Sequence, residues 1–178
     1  ASAWALFQLE IPMEAVRAAM TVAREAGART MLDPAPALPG AASLLPLADL
    51  VVPNESEALA LIGRSGGTVS PAEARTVAEA IRERGARAVI VKLGAAGCYY
   101  TDGARAILSP GFKVEAVDTT AAGDTFAGAL AVALSEERSI PDALRFANAA
   151  AALSVTRRGA QASVPTRVEV EAFLAETK

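Results

Sequence analysis

The sequence predicts an α/β fold built on a mostly parallel sheet. Short apolar, β-branched runs alternate with longer segments whose apolar residues recur every three to four positions. The first three elements read strand, helix, strand over 3–32, and a β-α-β order implies parallel strands joined by a right-handed crossover. Polar residues also gather where the strands end: Glu10, Asp33, Asn54 with Glu57, Lys92, and Asp118 to Asp124. That edge is where open α/β sheets bind ligands. The 178 residues suffice for one such domain with a real core, and no internal repeat or linker divides them, so 1–178 reads as a single domain.

The elements follow in order. Ala3 to Gln8 reads as a buried strand with Glu10 just past its end. Pro12 sets up a helix over Met13 to Ala26, closed by Gly27, with Val16, Ala19, Met20 and Ala23 as its inner stripe. Arg29 to Leu32 is a strand ending at Asp33-Pro34, and a proline-rich loop with one helical turn runs to Pro46. Leu50 to Val52 is the next strand, and Asn54 opens a helix to Ile62. Ser70, Pro71 and Glu73 form a capping-box start for a helix to Arg84. Ala88 to Lys92 is strongly β-branched, and Cys98 to Thr101 with Arg105 to Leu108 make a hairpin across Asp102-Gly103. Phe112 to Val117 is a short β-like run. Helices are expected over Ala122 to Ser135, Ile140 to Thr156 (nearly uncharged, hence buried on most sides) and Pro165 to Glu176, the last with Val168, Ala172 and Phe173 inward.

Composition excludes several functions. Histidine is absent, which removes His-based acid–base chemistry and His-ligated metals. Cys98 stands alone, so neither an intramolecular disulfide nor a thiolate cage can form. A net charge of −3 without a basic cluster argues against nucleic-acid or membrane partners held by charge. No long apolar run or signal peptide is evident, and a cytoplasmic location is the expectation.

The richest stretch is Asp118-Thr119-Thr120-Ala121-Ala122-Gly123-Asp124-Thr125-Phe126-Ala127-Gly128. Two carboxylates flank a bend with almost no side-chain bulk, and a helix follows. A bare bend lets a ligand reach the backbone. The helix start supplies unpaired N–H groups and a positive dipole end, which suits a phosphate. Asp124 in that field is expected to be ionised near neutral pH and able to accept a proton from a hydroxyl. The same residues also suit a plain N-cap at Asp118 or Thr119.

This stretch resembles the signature of the PfkB-type carbohydrate kinase (ribokinase) family. The resemblance implies a three-layer α/β/α ribokinase-like fold and ATP-dependent phosphorylation of a sugar primary hydroxyl, D-ribose to ribose 5-phosphate first. Fructose, a keto-deoxy sugar acid or a nucleoside are alternatives, as is a catalytically silent nucleotide-binding module. It implies an anion hole at Ala121, Ala122 and Gly123, with Asp124 as the base that also meets the sugar hydroxyl. Gln8-Leu9-Glu10 is similar to a strand end whose Glu contacts the sugar. Asn54-Glu55-Ser56-Glu57 resembles the family's Asn-x-x-Glu motif, which puts Asn54 near the ATP phosphates and Glu57 on Mg²⁺ through water; by residue type alone the same four residues are an Asn cap with a first-turn acid. Lys92, Leu93, Gly94, Ala95, Ala96 and Gly97 resemble the loop that lies along ATP, and Asn148 matches a position that contacts adenine; otherwise it is a satisfied core amide.

Arg157 to Ser163 resembles a loop that binds a monovalent cation such as K⁺. By position its ligands would be Asp118, the carbonyls of Thr120, Ser154, Arg157 and Gly159, and the Ser163 hydroxyl; without the resemblance this is a helix-terminal loop with two solvated arginines. The match runs from Gln8 to Phe173 and covers the family's C-terminal, nucleotide-binding portion. The first strands, the β lid and a Gly-Gly-Lys-Gly sugar segment have no counterpart, so these residues are expected to be part of a longer, homodimeric protein and to turn over sugar poorly by themselves.

Overall fold

The computed structural model describes residues 4–177; the predicted strand start at Ala3 lies outside the described residues. The chain forms two compact units, one of residues 4–93 and 98–108, the other of residues 94–97 and 109–177.

The first unit carries the sheet, with strands β1 (Trp4–Phe7), β2 (Arg29–Leu32), β3 (Leu50–Val51), β4 (Val89–Lys92), β5 (Cys98–Thr101) and β6 (Ala106–Ser109), whose last residue begins the second unit. The spatial order equals the chain order. The strands β1 to β4 pair in parallel, Leu6 beside Met31 and Met31 beside Leu50, and β5 turns antiparallel with Lys92 opposite Cys98. Three helices join them: α1 (Met13–Glu25), α2 (Glu55–Leu61) and α3 (Pro71–Arg82). Alternation along the strands puts Leu32, Val51, Val89 and Val91 into one buried cluster with Val16 and Met20 of α1, Leu59 of α2 and Val77 and Ile81 of α3. The hairpin turn is held by Asp102, whose Oδ1 accepts the N–H groups of Ala104 and Arg105 at 3.0 and 2.7 Å.

Two helix starts match their sequence signals. Ser70 accepts from Glu73 N and Glu73 returns to Ser70 N, and Asn54 and Glu57 do the same for α2. Three details differ. Ala19 is exposed, and the inner stripe of α1 runs Val16 and Met20 with Met13 and Ala23 half-buried. The proline-rich loop holds a longer 3₁₀ turn, Ala41–Leu47. The third strand stops at Val51, and Val52 continues only as a hydrogen bond to Leu32 O.

The second unit is helical: α4 (Ala122–Ser135), α5 (Ile140–Ser154) and α6 (Arg167–Glu176). As expected from its lack of charge, α5 is buried along Ala143, Leu144, Phe146 to Ala150, Ala152 and Ser154. The β-like run Phe112 to Val117 is not a strand. β-propensity reports fit to a pleated surface, and this segment instead docks on helices of its own unit. The Phe112 ring meets Phe173 of α6 edge-on at 5.1 Å and lies under the Arg145 guanidinium of α5 at 5.5 Å. At its end, Val117 N and Asp118 N both donate to Val155 O, at 2.7 and 3.1 Å. The face of α6 also differs: Val170 is buried with Phe173 and Leu174 beside it, whereas Val168 is 75% exposed and Ala172 is exposed. Spacing alone permits either stripe, and the position of Phe112 selects the one through Phe173.

Candidate active site

The bend before α4 is built from Asp118. Its Oδ1 accepts Thr120 N at 2.9 Å, and its Oδ2 accepts Gly159 N at 2.9 Å. The Gly159 N–H, then Thr120, hold its pKa down to about 2. Asp118 is therefore not the cap of α4. The N-cap is Ala121, in the left-handed region at φ 60° and without a side-chain cap bond. A non-glycine residue there costs about 1–2 kcal/mol, a strain that functional sites often hold. The consequence is a helix start left open to a ligand. Ala122 N makes a long bond to Thr119 O at 3.3 Å and Thr125 N bonds Ala121 O at 2.9 Å, while Gly123 N has no hydrogen bond among the described residues. Asp124 is exposed in the first turn, and beside it the buried Thr125 hydroxyl has no hydrogen-bond partner among the described residues.

Across the bend lies the loop after α5. Asp118 ties the two together through Gly159. Arg157 N donates to Ser154 O at 3.2 Å, and Ser163 Oγ donates to Ala160 O at 2.8 Å. Arg157 is anchored by Glu169 at 2.6 Å; that guanidinium, with the Thr166 N–H and hydroxyl, lowers the Glu169 pKa to about 2. The donor set that the sequence points to is all oxygen, one carboxylate with carbonyls and a hydroxyl. Such chemistry fits a hard monovalent cation, and the Ser163 oxygen keeps lone pairs after donating its proton.

The glycine loop 94–97 belongs to this same unit and runs against residues 109–111. At Gly97 (φ 96°) a Cβ would lie 2.1 Å from Ser109 O and 2.4 Å from Gly111 N; at Gly111 it would lie 2.4 Å from Ala95 O. The two backbones thus meet with no room for a side chain on either. Asn148 is 6% exposed, and its Nδ2 donates to Ser109 Oγ at 3.0 Å, Pro110 O at 3.3 Å and Ser109 O at 3.4 Å. The buried-amide reading of this residue thus has direct geometric support.

In the first unit, Glu57 closes the α2 capping box. Its Oε2 accepts Asn54 N at 2.7 Å and its Oε1 accepts Asn54 Nδ2 at 2.8 Å. Each carboxylate oxygen has two lone pairs, so the fixed, 6%-exposed carboxylate suits Mg²⁺ through a bridging water. Glu57 also lines a cavity of about 230 Å³ with Pro34, Leu38, Pro39, Ala41 and Leu61. Glu10 is exposed in the bend after β1. The sequence reading missed an ion pair: Lys92 Nζ donates to Asp33 Oδ2 at 2.9 Å, with the side chains only 12% and 1% exposed. Both are the charged residues that close an apolar strand, which is the one signal that could have paired them.

Comparison with known proteins agrees with the fold. The family model described as pfkB family carbohydrate kinase matches residues 1–167, and the chain belongs to that family. Within it, the chain is 43% identical over 169 residues to the ribokinase of Haemophilus influenzae, covering 95% of this chain and 55% of that protein. Among solved structures, the ribokinase of Thermotoga maritima superposes with a TM-score of 0.84 at 43% identity, covering 97% of this chain and 56% of that one. The Arabidopsis thaliana ribokinase complexed with ribose and ATP gives 0.89 at 34% identity, covering 97% and 55%. The ribokinase-like α/β fold is therefore established, and the chain spans about half the length of these relatives. Among the described residues no helix is long and apolar enough to cross a membrane.

Proposed function

We propose that this chain is the nucleotide- and phosphate-handling portion of an ATP-dependent kinase that phosphorylates the primary hydroxyl of ribose. The observation that carries the reading is the uncapped start of α4: Ala121 in a left-handed bend, Gly123 N without an internal acceptor, and Asp124 exposed in the first turn. Donors fixed in place need no reorganisation when charge builds on a transferring phosphoryl group. Asp124 takes the proton of the attacking hydroxyl, and the amides at Gly123 and Ala122 stabilise the phosphoryl oxygens, Ala122 by lengthening its weak bond to Thr119 O. Asn54 and the loop 92–97 hold ATP, with Lys92 acting as a strut because its ammonium is engaged by Asp33. Glu57 would hold Mg²⁺, which neutralises phosphate charge. Asp118, with carbonyls of Thr120, Ser154, Arg157 and Gly159 and the Ser163 hydroxyl, would hold K⁺ and keep the bend in shape. Glu10 meets the sugar. The resemblance also supports a cytoplasmic, homodimeric whole protein with no nucleic-acid or membrane partner.

The test has two parts on matched samples. ATP is titrated into this chain in K⁺ and in tetramethylammonium, and ribose-dependent ADP release is measured with the whole protein. Tighter ATP binding in K⁺ and ribose turnover are expected. No ATP binding in either salt, with no ribose turnover, would overturn the reading.

A further inference from the structure

A side chain can tune a nucleotide site without touching the nucleotide, provided that the backbone between them has no slack. Residues 94–97 and 109–111 meet that condition. Added Cβ atoms at Gly97 and Gly111 would lie within 2.4 Å of backbone atoms on the opposite segment, so the two main chains are in direct register. A shift of one by a few tenths of an ångström must move the other. The segment 109–111 is also held by α5. There the Asn148 amide, on a buried helix, offers its two N–H bonds to three oxygens of Ser109 and Pro110. Buried acceptors hold such a donor firmly, and losing it leaves the buried Ser109 carbonyl and hydroxyl, with the part-buried Pro110 carbonyl, to find new partners.

We infer that Asn148 is a positioning residue for the loop 94–97: it fixes Ser109 and Pro110, and these fix the course of the loop backbone. The inference rests on the reading above only in taking 94–97 as the segment that lies along ATP. It differs from the role implied by resemblance, in which the same residue contacts adenine. A contact to the base would set the preference for adenine over guanine. A clamp on the backbone sets how tightly any purine nucleotide is held and leaves that preference alone.

Asn148→Asp keeps the shape but removes the N–H bonds and faces three acceptors with a fourth. Ser109→Ala removes only the Oγ acceptor. Hydrogen exchange of the nucleotide-free chain reads the clamp directly, because Gly97 N donates to Gly94 O at 3.1 Å and supplies a protected amide in the loop. Asn148→Asp should speed exchange at 94–97 and 109–111 on the order of tenfold, with Ser109→Ala a smaller step in the same direction. Calorimetric titration should show ATP and GTP both weakened by a similar factor, with their ratio kept within about twofold. Unchanged exchange at 94–97, or an ATP-to-GTP ratio falling towards one in Asn148→Asp, would overturn the inference. Should Asn148→Asp fail to fold by circular dichroism, Ser109→Ala carries the same exchange test. A wild-type chain that binds neither nucleotide defeats the proposed function, and the exchange result then decides this inference by itself.

Discussion

Removing the ammonium of Lys92 should be among the most damaging single changes in the first unit, and the structure says by how much. Lys92 Nζ and Asp33 Oδ2 are 2.9 Å apart, with 12% and 1% of the side chains exposed. At that distance two unit charges attract by roughly 6 kcal/mol for an effective dielectric of 20, and desolvating each ion costs several kcal/mol, so the intact pair is close to neutral in net terms. Breaking it is not neutral. Lys92→Met leaves the Asp33 carboxylate in the interior without its cation, a loss of about 3–5 kcal/mol. Asp33→Leu strands the ammonium and should cost a similar amount, while the double replacement should recover most of the loss, to within about 1–2 kcal/mol of wild type. The assay is urea unfolding followed by the fluorescence of Trp4, the sole tryptophan, which sits on β1 against the Arg29 guanidinium at 5.6 Å and so reports on this unit. Single variants that unfold within about 0.5 kcal/mol of wild type, or a double variant as weak as the sum of the singles, would refute the claim that burial makes these charges interdependent.

Other outcomes follow from the same geometry. In the whole protein, Asp124→Asn should lower kcat by roughly 10²–10⁴-fold with little change in ATP affinity, and steady-state kinetics showing an unaltered kcat would remove it as the base. At Ala121, φ 60° sets opposite signs for two substitutions: Ala121→Gly should leave stability equal or up to about 1 kcal/mol higher, whereas Ala121→Val should lose about 2 kcal/mol, both read from thermal melts. Asp118 and Glu169 each have a native pKa lowered to about 2. Groups depressed in the folded state stabilise it fully above their unfolded pKa near 4 and lose that contribution as pH falls through 2. Thermal melts between pH 6 and 2 should therefore show a shallower acid decline in Asp118→Asn and Glu169→Gln than in wild type, and identical slopes would contradict the hydrogen-bond geometry.

Local signals made most of the architecture legible. Capping boxes at Asn54 and Ser70 mark helix starts because both partners lie within one turn, so chain neighbours decide them. Strand, helix and strand alternate strongly enough to set a parallel sheet. The larger misreadings involve distant partners. Phe112 to Val117 has strand composition, yet Phe173 and Val155 determine its path. The inner face of α6 depends on the same ring contact. The bare bend and Asp124 were readable from residue type, whereas Asp118 bracing Gly159 and Asn148 grasping Ser109 span 41 and 39 positions, beyond any local pattern. Lys92 and Asp33, 59 apart, become neighbours only because strands β2 and β4 flank β3.

The glycine seam also constrains how this chain can diverge. Where two main chains touch at Gly97 and Gly111, no other residue type is sterically admissible, so mutation cannot explore that surface. Change in this loop is therefore left to its solvent-facing positions, Ala95 and Ala96 ahead of Gly94, whose positive φ disfavours a side chain, and a library randomised at the two alanines would read how much chemical variety the seam tolerates.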